Sequence, residues 1–278
     1  MSLNRKYPKF SVLMSVYKNE NPEYLDIALK SVEAQTVKPN EIIVVEDGPI
    51  SRELKKVILK HKLIFGSSFK DVESTKNKGL GAALRLGTKY VSTNWIARMD
   101  SDDYSMPNRF EKQLNAIIDN PDLAVIGGQV SEFSSTIKNI VGRRTVPTTE
   151  KNIKQFVKWR SPFNHPTVFL NKEKLLKVGG YQSYGNLEDY YLWARIISEK
   201  FEVKNINEIV VSMRVDKGMY SRRGKISNLK YFFNLREYLR KKRIINFSEE
   251  LLGDAIMTIN IIVPGKVREL FYRKVLHK

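Results

Sequence analysis

The sequence predicts an α/β protein with a mixed, mainly parallel sheet flanked by helices and a basic helical C-terminal extension. Three observations carry this. Continuous apolar stretches of strand length, FSVLMSV at 10–16, EIIVV at 41–45 and WIARM at 95–99, suit strands covered on both faces. Stretches with helical apolar spacing separate them, the alternation expected of a parallel sheet. From Lys225 onward the pattern becomes helical and basic.

The elements follow in order. After the first strand, Phe10 to Val16, the span Pro22 to Gln35 places Leu25, Ala28, Leu29 and Val32 on one helical face. The second strand, Glu41 to Val45, runs into Glu46-Asp47-Gly48-Pro49, a turn signal. Helices are expected over Glu53 to His61 and Gly79 to Tyr90, then a strand over Trp95 to Met99. Further on, Leu123 to Val130 reads as a strand with Ile137 to Val146 pairing nearby, and Thr149 to Trp159 as a helix. Pro166 to Leu170 and Val203 to Arg214 read as strands around a helix over Glu188 to Lys200. A soft boundary near Arg214 separates residues 1–214 from the helical region 215–278.

Composition narrows the function. A chain of 278 residues with 42% hydrophobic and 28% charged residues buries a core without staples. Cysteine is absent, which excludes disulfides, thiolate metal sites and a cysteine nucleophile. The net charge of +18 points to a polyanionic neighbour: nucleic acid, anionic lipid or a phosphorylated ligand. The polar, basic start of the chain does not read as a signal peptide, and no apolar run approaches the ~20 residues that cross a bilayer.

Ligands of open parallel sheets bind beyond the carboxyl ends of the strands. Three expected strands end in polar clusters there: Ser15-Val16-Tyr17-Lys18-Asn19-Glu20, Glu46-Asp47-Gly48 and Asp100-Ser101-Asp102-Asp103. If the strands are parallel neighbours, all three meet on one edge. The last cluster packs three carboxylates into four residues, which calls for a cation, a proton or solvent. Hard oxygen ligands suit magnesium or manganese beside a ligand's phosphates. The same residues also make a good solvated turn.

In order and spacing, FSVLMSVYKNE, EIIVVEDGP, NKGLGAALRLG, IARMDSDD, SPFNHPTVFLNKEKLLKVGGY and GNLEDYYLWARI resemble glycosyltransferase family 2, the GT-A fold, over roughly Lys9 to Arg214. The nearest flavour is the group that builds bacterial capsule, exopolysaccharide and lipopolysaccharide chains, whose C-terminal signature MRVDKGMYSRRG resembles. The resemblance implies a nucleotide-sugar half at about 9–105 and an acceptor half at about 106–214. It implies a nucleotide-diphosphate sugar as donor, UDP the favoured nucleotide, and inversion at the anomeric carbon.

It also implies residue roles. Ser15, Val16, Tyr17, Glu20 and Asp47 would hold the nucleoside, although this chain has Glu46-Asp47-Gly48-Pro49 where the family often has Asp-Asp-Gly-Ser. Asn77 and Gly79 open a helix whose N-terminus suits an anionic ligand, and Arg85 would lie near the nucleotide. Asp100-Ser101-Asp102 matches the Asp-x-Asp motif. Asp102 would ligate manganese or magnesium, Asp100 the ribose or metal-bound water, with Asp103 sharing either duty. Asp189 would be the base that deprotonates the acceptor hydroxyl, and Glu188 would orient the acceptor. Acidic residues are also favoured at any helix start. His165, Asp216, Arg222 and Arg223 are candidates for diphosphate or acceptor contacts, Asp216 standing where many relatives have His.

Between Lys217 and Arg243 ten basic residues face one acid, Glu237, with Tyr231, Phe232, Phe233, Leu235, Tyr238 and Leu239 interleaved. A second basic amphipathic stretch runs from Lys266 to Lys278. Such faces suit an anionic membrane surface, where the implied polyprenyl-diphosphate-linked acceptor would sit, or a helix packed on the enzyme by its apolar side. The expected location is cytoplasmic, peripheral at the inner face of the plasma membrane. Nucleic acid is disfavoured, because carboxylates at three strand ends would repel phosphate without metal. A sugar nucleotidyltransferase would carry a Gly-rich basic loop after the first strand, where this chain has Tyr17-Lys18-Asn19-Glu20. A non-catalytic membrane scaffold would not need Asp100, Asp102 and Asp189.

Overall fold

The computed structural model describes residues 6–215 and 229–262, with side chains to residue 259. One nine-stranded sheet is built from β1 (Phe10–Val16), β2 (Glu41–Glu46), β3 (Phe69–Glu73), β4 (Trp95–Asp100), β5 (Tyr104–Ser105), β6 (Leu123–Phe133), β7 (Ile140–Arg144), β8 (Phe169–Asn171) and β9 (Glu202–Arg214). The strand order is β3-β2-β1-β4-β8-β6-β9-β5, with β7 paired to β6. The first four strands in that order are parallel, as the buried apolar runs predict, and β6 and β9 are also parallel. β8 runs antiparallel to both β4 and β6, so the sheet is mixed at its centre.

Alternation along the strands divides the interior into two cores. Leu13, Ile43 and Val45 face one side of the sheet, while Val12, Met14, Ile42 and Val44 face the other. α1 (Pro22–Glu33), α2 (Arg52–Phe65) and α4 (Arg109–Asp119) cover the second side with Leu29, Ile58 and Leu114 among their buried residues. α3 (Leu80–Thr88), α5 (Glu150–Phe156) and α7 (Glu188–Ser198) cover the first with Leu84, Ile153 and Trp193. The helix starts are fixed locally. Asn21 accepts a hydrogen bond from the Glu23 amide with Pro22 in the first turn, and Ser51 accepts one from the Leu54 amide.

Four elements depart from the sequence expectation. Pro166 begins no strand: His165–Thr167 is a 3₁₀ turn, and only Phe169–Asn171 pairs in the sheet. β3 is an edge strand whose Lys70, Asp71 and Glu73 are polar, so no apolar run announces it. α4 carries its buried face partly on Arg109 and Gln113, and α6 (Lys172–Lys177) is too short for a periodic signal.

After residue 228 the chain forms α8 (Leu229–Lys241) and α9 (Phe247–Ile262). Leu235 and Leu239 join the core beside α7, so α8 is packed on the enzyme by its apolar face. Arg236 locks the pair. Its buried guanidinium donates to the carbonyls of Lys158, Glu249 and Glu250 and lies near Asp254. Gly253 permits this approach, since a Cβ there would fall 2.1 Å from the guanidinium carbon. Replacing Arg236 with Met would leave three carbonyls without that donor. Arg236→Met is expected to lower unfolding stability by about 3 kcal/mol in urea denaturation, an effect well above that of an exposed arginine.

Candidate active site

The three strand ends do meet. β1 lies between β2 and β4, with Val16 opposite Glu46 and Ser15 opposite Asp100. The turn from Asp100 to Asp103 leaves β4 at the carboxyl edge of the sheet. One carboxylate oxygen from each of Asp100, Asp102 and Asp103 lies within 4.8 Å of the others.

Four groups hold this turn. Arg98, on β4 and 2% exposed, pairs with Asp100 through one guanidinium nitrogen. The Ser101 hydroxyl donates to Glu20, whose other oxygen accepts from the Asn21 amide at 2.9 Å. From the end of β9, Arg214 donates its amide to Asp103 at 2.9 Å and its Nε to the Asp102 carbonyl at 3.2 Å. The Arg214 guanidinium rests against Tyr24 and Phe133. Beneath β4, buried Arg109 donates to the Arg98 carbonyl at 2.7 Å.

The electrostatics record the crowding. Burial and the nearby charges of Asp100 and Glu20 push Asp102 up to about 7. Burial, Asp100 and Asp102 push Asp103 well above the usual carboxylate range. At the start of α7, burial and neighbouring Asp189 push Glu188 up to about 7, with Asp100 adding to the shift and Arg98 opposing it. The acidic turn and the α7 carboxylates are therefore within electrostatic reach of one another.

Several polar atoms here are buried without a hydrogen-bond partner: one oxygen each of Asp103 and Glu188, and Nε and Nη1 of Arg98. Buried polar groups are ordinarily satisfied, so these mark a place built for something further. Three clustered carboxylates with a free buried oxygen fit a hard divalent cation held by Asp100, Asp102 and Asp103.

The other residues singled out in the sequence have definite places. Tyr17 is exposed at the edge of the site, whereas the Val16 side chain is core and only its backbone reaches the strand end. Asp47 accepts from the amides of Lys78 and Gly79 at 2.8 and 2.9 Å, tying β2 to the loop that contains Asn77 and opens α3. Gly48, at φ +84°, lies so close to that loop that a Cβ would sit 2.5 Å from the Asn77 nitrogen. Arg85 is exposed on α3, beyond its first turn. Asp189 receives a 3.4 Å hydrogen bond from the Ser161 hydroxyl. His165 is enclosed, hydrogen-bonded to Tyr181 at 3.0 Å and edge-on to Trp193, and burial with the Arg98 charge holds it neutral. Asp216, Arg222 and Arg223 lie outside the described residues.

Arg98 and Arg214 were not singled out in the sequence. The signal for Arg98 was there: a lone charge inside the apolar run WIARM. Arg214 had no comparable signal, since its contacts depend on where β9 ends.

These shifts set a pH dependence. In the folded protein Asp102 and Glu188 hold protons up to about 7, but in the unfolded chain they release them near the ordinary carboxylate pKa of ~4. The folded state binds more protons between these limits, so stability falls as pH rises through about 7. His165 acts in the opposite sense only below about 6.5. Without divalent metal, the melting temperature is expected to fall between about pH 5 and 7.5 and to level off above about 8. Manganese should flatten that slope, and the metal-sensitive part should vanish in Asp102→Asn; differential scanning fluorimetry reads both.

Comparison with known proteins agrees with this geometry. The glycosyl transferase family 2 model matches residues 11–180. The amylovoran biosynthesis glycosyltransferase AmsE of Erwinia amylovora is 34% identical over 95% of this chain and 98% of its own. The UDP-Gal:alpha-D-GlcNAc-diphosphoundecaprenol beta-1,3-galactosyltransferase of Escherichia coli is 32% identical over 98% of both chains. In fold, the chain is similar to the mannosyltransferase PcManGT of Pyrobaculum calidifontis, solved with GDP-Man and Mn2+. The TM-score is 0.64 at 15% identity, over 98% of this chain and 77% of the other. The sheet and its flanking helices are of the GT-A type, and the chain belongs to glycosyltransferase family 2.

Proposed function

We propose that this chain is an inverting, metal-dependent transferase that moves a sugar from a UDP-sugar to a saccharide carried on a polyprenyl diphosphate. The product would feed a bacterial surface polysaccharide. The observation that carries the reading is the electrostatic proximity of two carboxylate groups, Asp100 to Asp103 at the end of β4 and Glu188-Asp189 at the start of α7. Residues 9–105 form the donor half, 106–214 the acceptor half, and 215–278 the helical appendage. The names of two relatives support the context: one acts in amylovoran biosynthesis, and one uses UDP-Gal and a diphosphoundecaprenol-linked sugar.

In this reading Asp100, Asp102 and Asp103 hold manganese or magnesium. When bound there, the ion would supply positive charge against that developing on the departing diphosphate. Ser15, Val16, Tyr17, Glu20 and Asp47 border the nucleoside, and the loop of Asn77 and Gly79 lies on the same edge. Asp189 takes the proton from the acceptor hydroxyl as its oxygen attacks the anomeric carbon, and the bond from that carbon to the diphosphate oxygen breaks. Glu188 orients the acceptor. Arg98 holds Asp100 in place, and Arg214 keeps the turn between Asp102 and Asp103 from opening.

Two measurements test this. In thermal-shift titrations, UDP with manganese is expected to stabilise the protein, and GDP to stabilise it less. Asp102→Asn should abolish the metal-dependent part of the shift; an equal shift in that variant would remove the metal assignment. Asp189→Asn is expected to keep the UDP shift and to lose at least ~100-fold in transfer to a synthetic lipid-diphosphate acceptor, because an amide is no base. Normal turnover there would reject the base assignment.

A further inference from the structure

We infer that α9 docks this protein onto an anionic phospholipid bilayer through its outward face. Phe247, Leu251, Leu252, Ile256 and Ile259 are each more than half exposed. At 100° per residue, Leu251, Leu252, Ile256 and Ile259 fall on one side of the helix, with Ala255 between them and Phe247 at its margin. Apolar groups gathered on one side of a helix mark a partner surface, whereas singly scattered ones do not.

The carboxylates of the helix have basic partners on the enzyme. Glu249 pairs with Lys158, Glu250 with Arg240, and Asp254 lies beside Arg236. Glu250 and Asp254 thus face the enzyme while Glu249 stands at the border of the apolar face, and Arg236 with Gly253 fixes the helix so that its outer face cannot turn inward.

Charge identifies the occupant. Lys241, Lys242 and Arg243, at the end of α8, are exposed next to the turn that leads into α9. The sequence after residue 262 adds Lys266, Arg268, Arg273, Lys274 and Lys278 against one acid, Glu269. An exposed apolar helix face that follows directly on Lys241, Lys242 and Arg243 suits the boundary between acyl chains and anionic headgroups. At ~1.5 Å per residue the 16 residues of α9 make a helix of about 24 Å, short of the ~30 Å hydrocarbon thickness. Among the described residues no helix is long and apolar enough to cross a membrane, so α9 lies along the surface. A lipid-carried acceptor would be met on such a surface, and in that respect the inference rests on the proposed reaction. Its test contains neither donor nor acceptor, so its failure leaves the transfer reading untouched.

The test is co-sedimentation of the full chain with vesicles of phosphatidylcholine alone and with about a third phosphatidylglycerol. The wild-type chain is expected to pellet with the anionic vesicles and to stay in solution with the neutral ones. The double variant Leu251→Gln/Ile256→Gln should lose at least about tenfold in partitioning at an unchanged melting temperature. If that variant is poorly folded, Lys241→Glu/Lys242→Glu provides the second reading, with an expected loss of several-fold per charge. The proposal fails if the wild-type chain does not pellet, or if well-folded variants pellet as it does. It also fails if light scattering shows a dimer that Leu251→Gln/Ile256→Gln dissociates while vesicles bind neither protein, since the face would then join two copies of the chain.

Discussion

Arg98 is buried under the end of β4 with its charge opposed by Asp100, and that charge also lowers the cost of ionising Asp102, Asp103 and Glu188 nearby. Without a cation there, the carboxyl groups would repel one another in a volume that water reaches only in part. One arginine is not enough to ionise them all, and the raised carboxyl groups and unpaired buried oxygens are the remainder of that imbalance. The site therefore has a standing demand for positive charge. A divalent ion would meet it chemically, and Arg98 meets part of it by folding alone.

The surroundings make that demand tolerable by restricting movement. The acidic turn is tied at one end to β1 through Glu20 and at the other to β9 through Arg214. Asp47 pins the loop before α3 with both oxygens. Behind α7, Tyr191 stacks on Tyr184 and meets Tyr238 of α8 edge-on, while the Tyr238 and Ser198 hydroxyls lie 3.0 Å apart. The loop between 179 and 187, which leads into Glu188, is thus braced by a helix distant in sequence. Groups held in this way need little rearrangement to meet a reacting partner.

Much of this was legible in the sequence. Apolar strands followed by polar clusters located the site, because parallel strands must deliver their carboxyl ends to one edge. The acidic turn was readable because carboxylates next to a buried strand are conspicuous, whereas Glu188-Asp189 stood out only through the resemblance to the family, since acidic residues are favoured at any helix start. What escaped was polar residues used as structure. β3 was hidden because an edge strand is free to be FKDVE, and its Asp71 and Glu73 are matched by Lys55 from a helix. α4 was hidden because Arg109 and Gln113 fill core positions, satisfied by carbonyls that no pattern of spacing reveals. For His165 the sequence left a ligand contact and a structural place both open; its enclosure by Tyr181 and Trp193 arises from long-range packing alone.

The continuity of the sheet has a consequence of a different kind. In the proposed reading β1, β2 and β4 would carry the donor side and β6, β8 and β9 the acceptor side, and all six lie in one hydrogen-bonded layer. A continuous sheet has no hinge between its halves. The angle at which a sugar donor meets its acceptor is then fixed when the chain folds. Change of acceptor preference among related chains would arise in segments that stand off the layer, such as 179–187, while the frame beneath stays constant.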